Sequence, residues 1–215
     1  MTDQESTHPP IYTPDNEPYL GRASVLAFDQ QISFTLYVNQ YIAAYTRANT
    51  EKLSTLQRAT CQIIPQGISL ALSIRELIRQ GYLFSALVLI RPLIERAAII
   101  SYISLHEDAI DIWKRGWRFR ERPPLSTMID AMAGKANPEM AKKICEEYGH
   151  IVHGDPVGAE SNLVSLGDGD LGYAVSKILG NPALCDEIAI QGQCYLTVLC
   201  GRMIQCFPEV KPPES

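Results

Sequence analysis

The sequence predicts an all-α fold, a helical bundle of about five to seven helices, on three observations. Apolar residues recur at helical spacing through long stretches, whereas strict apolar–polar alternation is nearly absent. Helix start signals stand at Asn137-Pro138 and Asn181-Pro182, where asparagine caps and proline suits the first helical position. The 215 residues are 46% hydrophobic and 20% charged, which suffices for one domain with its own core and is too apolar for wholesale disorder.

Taken in order, residues 1–20 carry Pro9, Pro10, Pro14 and Pro18 and read as a disordered N-terminal arm. They lack the basic start and apolar run of a signal peptide. A single helical domain is expected over residues 21–208, with a flexible tail over 209–215. Residues 23–47 place Leu26, Ile32, Leu36, Tyr41 and Tyr45 at about one or two helical turns. Asn49 or Thr50 caps the next helix, which runs to Gln80 with a break or kink at Pro65 and Gly67. Residues 82–105 are apolar nearly all round, the mark of a helix at the centre of a bundle. Pro92 is expected to kink it. A short helix follows over 107–117, then a loop at Arg122-Pro123-Pro124, then one or two turns over 126–133. The helix begun at Asn137-Pro138 runs to about Val152 and stops at Gly154-Asp155-Pro156. The glycine-rich stretch 154–181 reads as loop with a small hairpin around Asp168-Gly169. The last helix runs from Asn181-Pro182 to Phe207-Pro208.

Nineteen Lys and Arg against 24 Asp and Glu give a net charge of -5. A globally basic nucleic-acid binder is excluded, and a local basic patch is not. The one basic concentration runs from Trp113 to Arg122. Lys114, Arg115, Arg118, Arg120 and Arg122 alternate there with Trp113, Trp117 and Phe119, a mixture that suits single-stranded RNA through phosphate contact and stacking. The competing readings are a short helix with tryptophans packed inward and cations wet, and a protein interface. The stretch 83–105 is not read as a membrane span, because Arg91, Glu95 and Arg96 would lie at bilayer depth. Cys61, Cys145, Cys185, Cys194, Cys200 and Cys206 form no Cys-x-x-Cys pair, so they read as buried thiols of a cytoplasmic protein, without zinc.

Arg91 and Glu95 share one face of the most apolar helix. They are either a structural ion pair, joined by Arg96, or part of a site. Partners on another helix are sought among Glu146, Glu147, His150 and His153. Glu146, His150 and His153 fall on one side of their helix, with His153 near a C-terminus that favours a protonated imidazole. Glu146, His150, His153 and Asp155 also offer a metal geometry. The His-Glu-x-x-His order is absent, however, and no metal or cofactor is expected. Gly167-Asp-Gly-Asp-Leu-Gly172 matches a dinucleotide fingerprint in form. Its two aspartates would repel a pyrophosphate and no parallel sheet surrounds it, so a hairpin or loop is the better account.

The pair Arg91-Pro-Leu-Ile-Glu95 and Tyr148-Gly-His-Ile-Val-His153 resembles the HEPN-like superfamily of helical domains, over roughly residues 70–156 plus the closing helix. That resemblance implies a cytoplasmic homodimer with RNA-directed activity, in its active members a metal-independent endoribonuclease of a toxin or antiphage defence system with a regulatory partner protein. The implied catalytic residues are Arg91, Glu95, Tyr148, His150 and His153. The implied chemistry has His153 or His150 as general base on a ribose 2′-hydroxyl, Arg91 on the scissile phosphate, Glu95 orienting Arg91 and Tyr148 donating a hydrogen bond. The active members carry arginine, four to six residues, then histidine in one helix. Here Lys143 fits that spacing to His150, and Arg91 would have to act from another helix. The alternative is a non-catalytic helical module that binds a partner protein or nucleotide.

Overall fold

The structure is a computed structural model that describes residues 17–118, 121–132, 137–153, 155–156, 163–167, 170–173 and 177–210. Helices dominate these residues, with one antiparallel hairpin, as the sequence predicts. The expectations that fell on Phe119, Arg120, Ala133, Gly154, Gly158, Asp168 and Gly169, and on the outer arm and tail, lie outside the described residues.

The first helix, α1 (Ala23–Ala48), buries Val25, Phe28, Ile32, Val38 and Ile42 along one stripe. A 3₁₀ turn, Thr50–Lys52, separates it from α2 (Thr55–Gln80). The start of α2 is thus later than Asn49 or Thr50 suggested. Ser54-x-x-Gln57 closes a capping box: the Gln57 N–H donates to Ser54 Oγ at 3.1 Å, and the Ser54 N–H donates to Gln57 Oε1 at 3.0 Å. Two otherwise orphaned donors are satisfied at once, which no side chain at position 49 or 50 offers. Pro65 does not end α2. It lies on an exposed position, and the carbonyl that loses its donor, that of Cys61, belongs to an exposed residue as well. The helix stops at Gly81, whose φ of +82° closes the last turn through Gly81 N–H to Ile78 O and Tyr82 N–H to Leu77 O.

The central helix is α3 (Leu83–Leu105), which buries Ile90, Leu93, Ile94, Ala97 and Ile100. It packs against α2, against α4 (Glu107–Lys114), α5 (Leu125–Met132) and α6 (Pro138–His153), and against the last helix, α7 (Pro182–Cys206). Among the described residues no helix is long and apolar enough to cross a membrane. The fourth helix ends three residues short of the expected Trp117, because Gly116 (φ +88°) and Trp117 (φ +31°) reverse the chain. Trp113 and Trp117 pack on the core, while Lys114, Arg115, Arg118 and Arg122 stay exposed. Asn137 caps α6 by accepting from the Met140 N–H at 3.1 Å, and Asn181 caps α7 by accepting from the Leu184 N–H at 3.0 Å. Between them β1 (Leu163–Gly167) pairs antiparallel with β2 (Asp170–Tyr173).

Close helix approach depends on glycine in α7. A methyl group at Gly192 would lie 2.8 Å from the buried Phe28 ring of α1. The chain entering α1 is fastened well before residue 21. Glu17 pairs with Arg75 and Arg79, Tyr19 is buried with its hydroxyl donating to the Ile178 carbonyl, and Arg22 and Ser24 both donate to Asp186. The uniform burial expected of the thiols does not hold. Cys185, Cys200 and Cys206 are buried, Cys145 is half-buried, and Cys61 and Cys194 lie on outward helix faces.

Candidate functional site

Arg91 and Glu95 stand one turn apart near the middle of α3, where it meets both α6 and the loop before α5. The pair is half-buried rather than sealed in the core, at 22% and 25% side-chain exposure. Glu95 is shared by three guanidinium groups. Arg91 Nε lies 3.6 Å away, Arg122 Nη2 3.8 Å and Arg96 Nη1 3.9 Å. These separations exceed hydrogen-bond length, so the contacts are charge contacts. Three cations around one carboxylate leave a local excess of two positive charges. The expected helper Arg96 is present, and it also donates from Nε to Gln66 Oε1 at 2.7 Å. Arg122 enters from the basic segment.

The carboxylates Glu146 and Glu147 do not reach this pair. Both are exposed, and Glu146 faces Lys142 at 3.6 Å on its own helix. What α6 offers Arg91 instead is Gly149. A methyl group there would sit 3.2 Å from Arg91 Nη1. The missing side chain lets the α6 backbone lie against the guanidinium, and Nη1 is left buried with no hydrogen-bond partner among the described residues. A buried donor without an acceptor costs about 1–3 kcal/mol. This atom is therefore a place where an acceptor is missing.

Tyr148, next to Gly149, is also buried, and its hydroxyl pKa is pushed up by burial, then by Tyr195, Glu147 and Glu187. Tyr195 behaves alike and is pushed up to about 12, mainly by burial. Tyr148 thus stays protonated, as a hydrogen-bond donor must, although its hydroxyl bonds to nothing among the described residues. Burial also raises the Cys145 thiol, against the lowering effect of Arg91.

The two imidazoles face outward. His150 and His153 are exposed and neither contacts Arg91 or Glu95 among the described residues. The chain turns back after α6, with the Asp155 N–H donating to the His150 carbonyl at 3.2 Å. That turn brings the Asp155 carboxylate to His150, whose Nδ1–H donates to Oδ2 at 2.7 Å. An ionised carboxylate only accepts, so the bond fixes the proton on Nδ1 and leaves Nε2 as the free base. Among the described residues no three His, Cys, Asp or Glu side chains converge as metal ligands.

The site thus joins Arg122 to Glu95, Glu95 to Arg91 and Arg91 to Gly149, with the exposed cations Lys114, Arg115 and Arg118 earlier on the chain and the His150–Asp155 pair just after Gly149. The sequence indicated the two helices and missed three contacts. The sequence presents Arg122 as a loop and basic-patch residue, Asp155 as a helix stop or metal ligand, and Gly149 without a role. A glycine interrupting a helix beside two histidines is the signal that was available. No protein-family model matches this chain, and no curated protein or solved structure matches it.

Proposed function

We propose that this chain is an RNA-directed, HEPN-like protein whose phosphodiester site is the three-guanidinium cluster on Glu95. The observation that carries the reading is the excess of two cations there, with Arg91 Nη1 lacking an acceptor among the described residues. A phosphate oxygen supplies what a buried or half-buried guanidinium lacks, and arginine is suited to it. The exposed cations Lys114, Arg115 and Arg118 extend the track along which a single strand lies.

The enzymatic form of the proposal is metal-independent cleavage by transesterification. His150 Nε2 takes the proton of a ribose 2′-hydroxyl while Asp155 holds the ring. The 2′-oxygen forms a bond to phosphorus, the bond to the 5′-oxygen breaks, that oxygen takes a proton from water and leaves as a 5′-hydroxyl, and His150 then gives its proton back to the solvent. The product is a 2′,3′-cyclic phosphate end. Asp155 makes His150 the preferred base over His153. A cytoplasmic homodimer serving in toxin or antiphage defence, with a regulatory partner protein, belongs to the same reading.

A second reading has its own support. Both histidines point to solvent while Arg91 Nη1 points inward at Gly149, which suits a non-catalytic module that binds RNA, a nucleotide or a partner protein. Incubation of purified protein with mixed RNAs, with and without a chelator, separates the two. Cleavage that survives the chelator, leaves cyclic phosphate ends and falls at least about 100-fold in His150→Ala is expected for the enzyme. Salt-sensitive binding without cleavage, weakened by Arg118→Ala, identifies the module. No RNA binding at low salt refutes both RNA readings.

A further inference from the structure

We infer that the protein holds a small amphiphile, an aromatic or branched apolar body bearing one hydroxyl group, in a cavity between α1, α2 and α7. This site is separate from the guanidinium cluster and does not depend on the RNA reading. The cavity has a volume of about 170 Å³. An apolar cavity of about 150 Å³ is large enough for benzene. Its floor is apolar and buried: Ile42 from α1, Ile64 from α2, and Met203 and Phe207 at the end of α7. Ala43, Cys61 and Pro65 are exposed and form its rim.

Two polar groups give this cup a direction. Pro65 stands inside α2 and has no N–H, so the carbonyl of Cys61, one turn earlier, receives no donor from it. Cys61 and Pro65 both line the cavity. Across from them, the Asn39 carboxamide of α1 also lines it and has no hydrogen-bond partner among the described residues. The neighbouring hydroxyls are already committed to their own helices: Thr46 donates to the Ala43 carbonyl at 3.0 Å and Thr60 to the Leu56 carbonyl at 2.8 Å. What remains is one carbonyl that accepts and one carboxamide that donates. A single hydroxyl answers both, donating to the Cys61 oxygen and accepting from Asn39 Nδ2, while its apolar body fills the space beside Phe207. An apolar pocket with a few convergent polar groups is the usual form of a small-molecule site. The proline thereby has a use. In the middle of a 26-residue helix it sacrifices one backbone bond and creates an acceptor at the wall of a cavity.

Phenol and toluene are the probes, matched in shape and differing in the hydroxyl. The reporter is the methyl resonance of Met203 in methyl-labelled protein, assigned by its loss in Met203→Leu. Both probes are expected to move it saturably at millimolar concentration in the unaltered protein. Pro65→Ala returns an N–H to the Cys61 carbonyl, so phenol affinity should fall about threefold to tenfold, the worth of one neutral hydrogen bond, with toluene within twofold of its original value. Asn39→Leu should lower the phenol-to-toluene ratio in the same way. Ala43→Leu, at an exposed helical position, should plug the cavity and abolish both shifts without lowering the melting temperature. The inference is overturned if phenol leaves Met203 unmoved in the unaltered protein, if the shift persists in Ala43→Leu, or if the phenol-to-toluene ratio is the same in Pro65→Ala.

Discussion

Replacing Glu95 by glutamine keeps the shape of the side chain and one acceptor oxygen, and removes the charge that three guanidinium groups share. The contacts lie at 3.6, 3.8 and 3.9 Å, and the four side chains range from 22% to 47% exposed. Pairs of that exposure contribute about 0.2–1 kcal/mol each. Three of them, with Arg91, Arg96 and Arg122 left to repel one another, set the loss at about 1–2 kcal/mol. For a chain of this length that corresponds to a melting temperature lower by about 2–8 °C. The loss should shrink as salt rises, since charge contacts are screened beyond about 3 Å at 1 M ionic strength. Phosphate at constant ionic strength should stabilise Glu95→Gln more than the unaltered protein, because it replaces the missing anion. Urea unfolding followed by circular dichroism, at low salt, at 1 M NaCl and with phosphate, measures all three. A loss that is unchanged by salt and indifferent to phosphate would refute the reasoning, and would assign Glu95 a packing role.

Gly192→Ala should destabilise by about 1–2 kcal/mol, since its methyl meets three carbons of the Phe28 ring at 2.8–3.2 Å and overpacking outweighs the gain in helix propensity. Gly201→Ala, on the same helix with nothing within 4 Å, should stabilise by about 0.5–1 kcal/mol in the same thermal melts. Ser54→Ala breaks the capping box of α2 and should cost about 1 kcal/mol in urea unfolding. The Asp186 carboxyl is held down at about 2, by its hydrogen bonds from Arg22 and Ser24, from an ordinary 3.8. A depressed carboxylate stabilises the fold above its unfolded value and loses that contribution as pH falls through the folded one. Thermal stability should therefore fall between about pH 4 and pH 2, and Asp186→Asn should flatten that part of the profile.

The helices were legible because their signals are local. Asn137-Pro138 and Asn181-Pro182 each began a helix, and the all-apolar stretch became the central one. Errors fell where two local signals compete. Asn49, Thr50 and Ser54 are all acceptable caps, and only Ser54 has glutamine three residues on to return the bond. Pro65 reads as a breaker until one knows that its position is exposed. The site was less legible because a helical wheel relates side chains to one another without saying which side is buried. It grouped Glu146, His150 and His153 correctly, yet that group faces solvent. Tyr148 lies across the helix from that group and is buried, and Gly149, at the group's flank, meets α3 because glycine alone leaves room for the Arg91 guanidinium.

That orientation decides what chemistry the two halves can share. Arg91 lies against α6 at position 149 and the His150–Asp155 pair begins at position 150, about 100° further round the helix. In the proposed cleavage, a phosphate held by Arg91 and a ribose reached by His150 would have to meet across the α6 surface between positions 149 and 150. The Arg122 end of the cluster is the more open one, at 47% side-chain exposure against 22% for Arg91. On the proposed RNA reading, a strand arriving along Lys114, Arg115 and Arg118 would therefore meet Arg122 first. Arg122 lies against Glu95, and Glu95 against Arg91, so on the proposed RNA reading a phosphate taken up at Arg122 would compete with Glu95 and leave Nη1 of Arg91, which has no acceptor among the described residues, for a phosphate oxygen. On that reading the acid among three arginines links the exposed basic surface to the half-buried Arg91, and its charge, more than its bulk, is what the link requires.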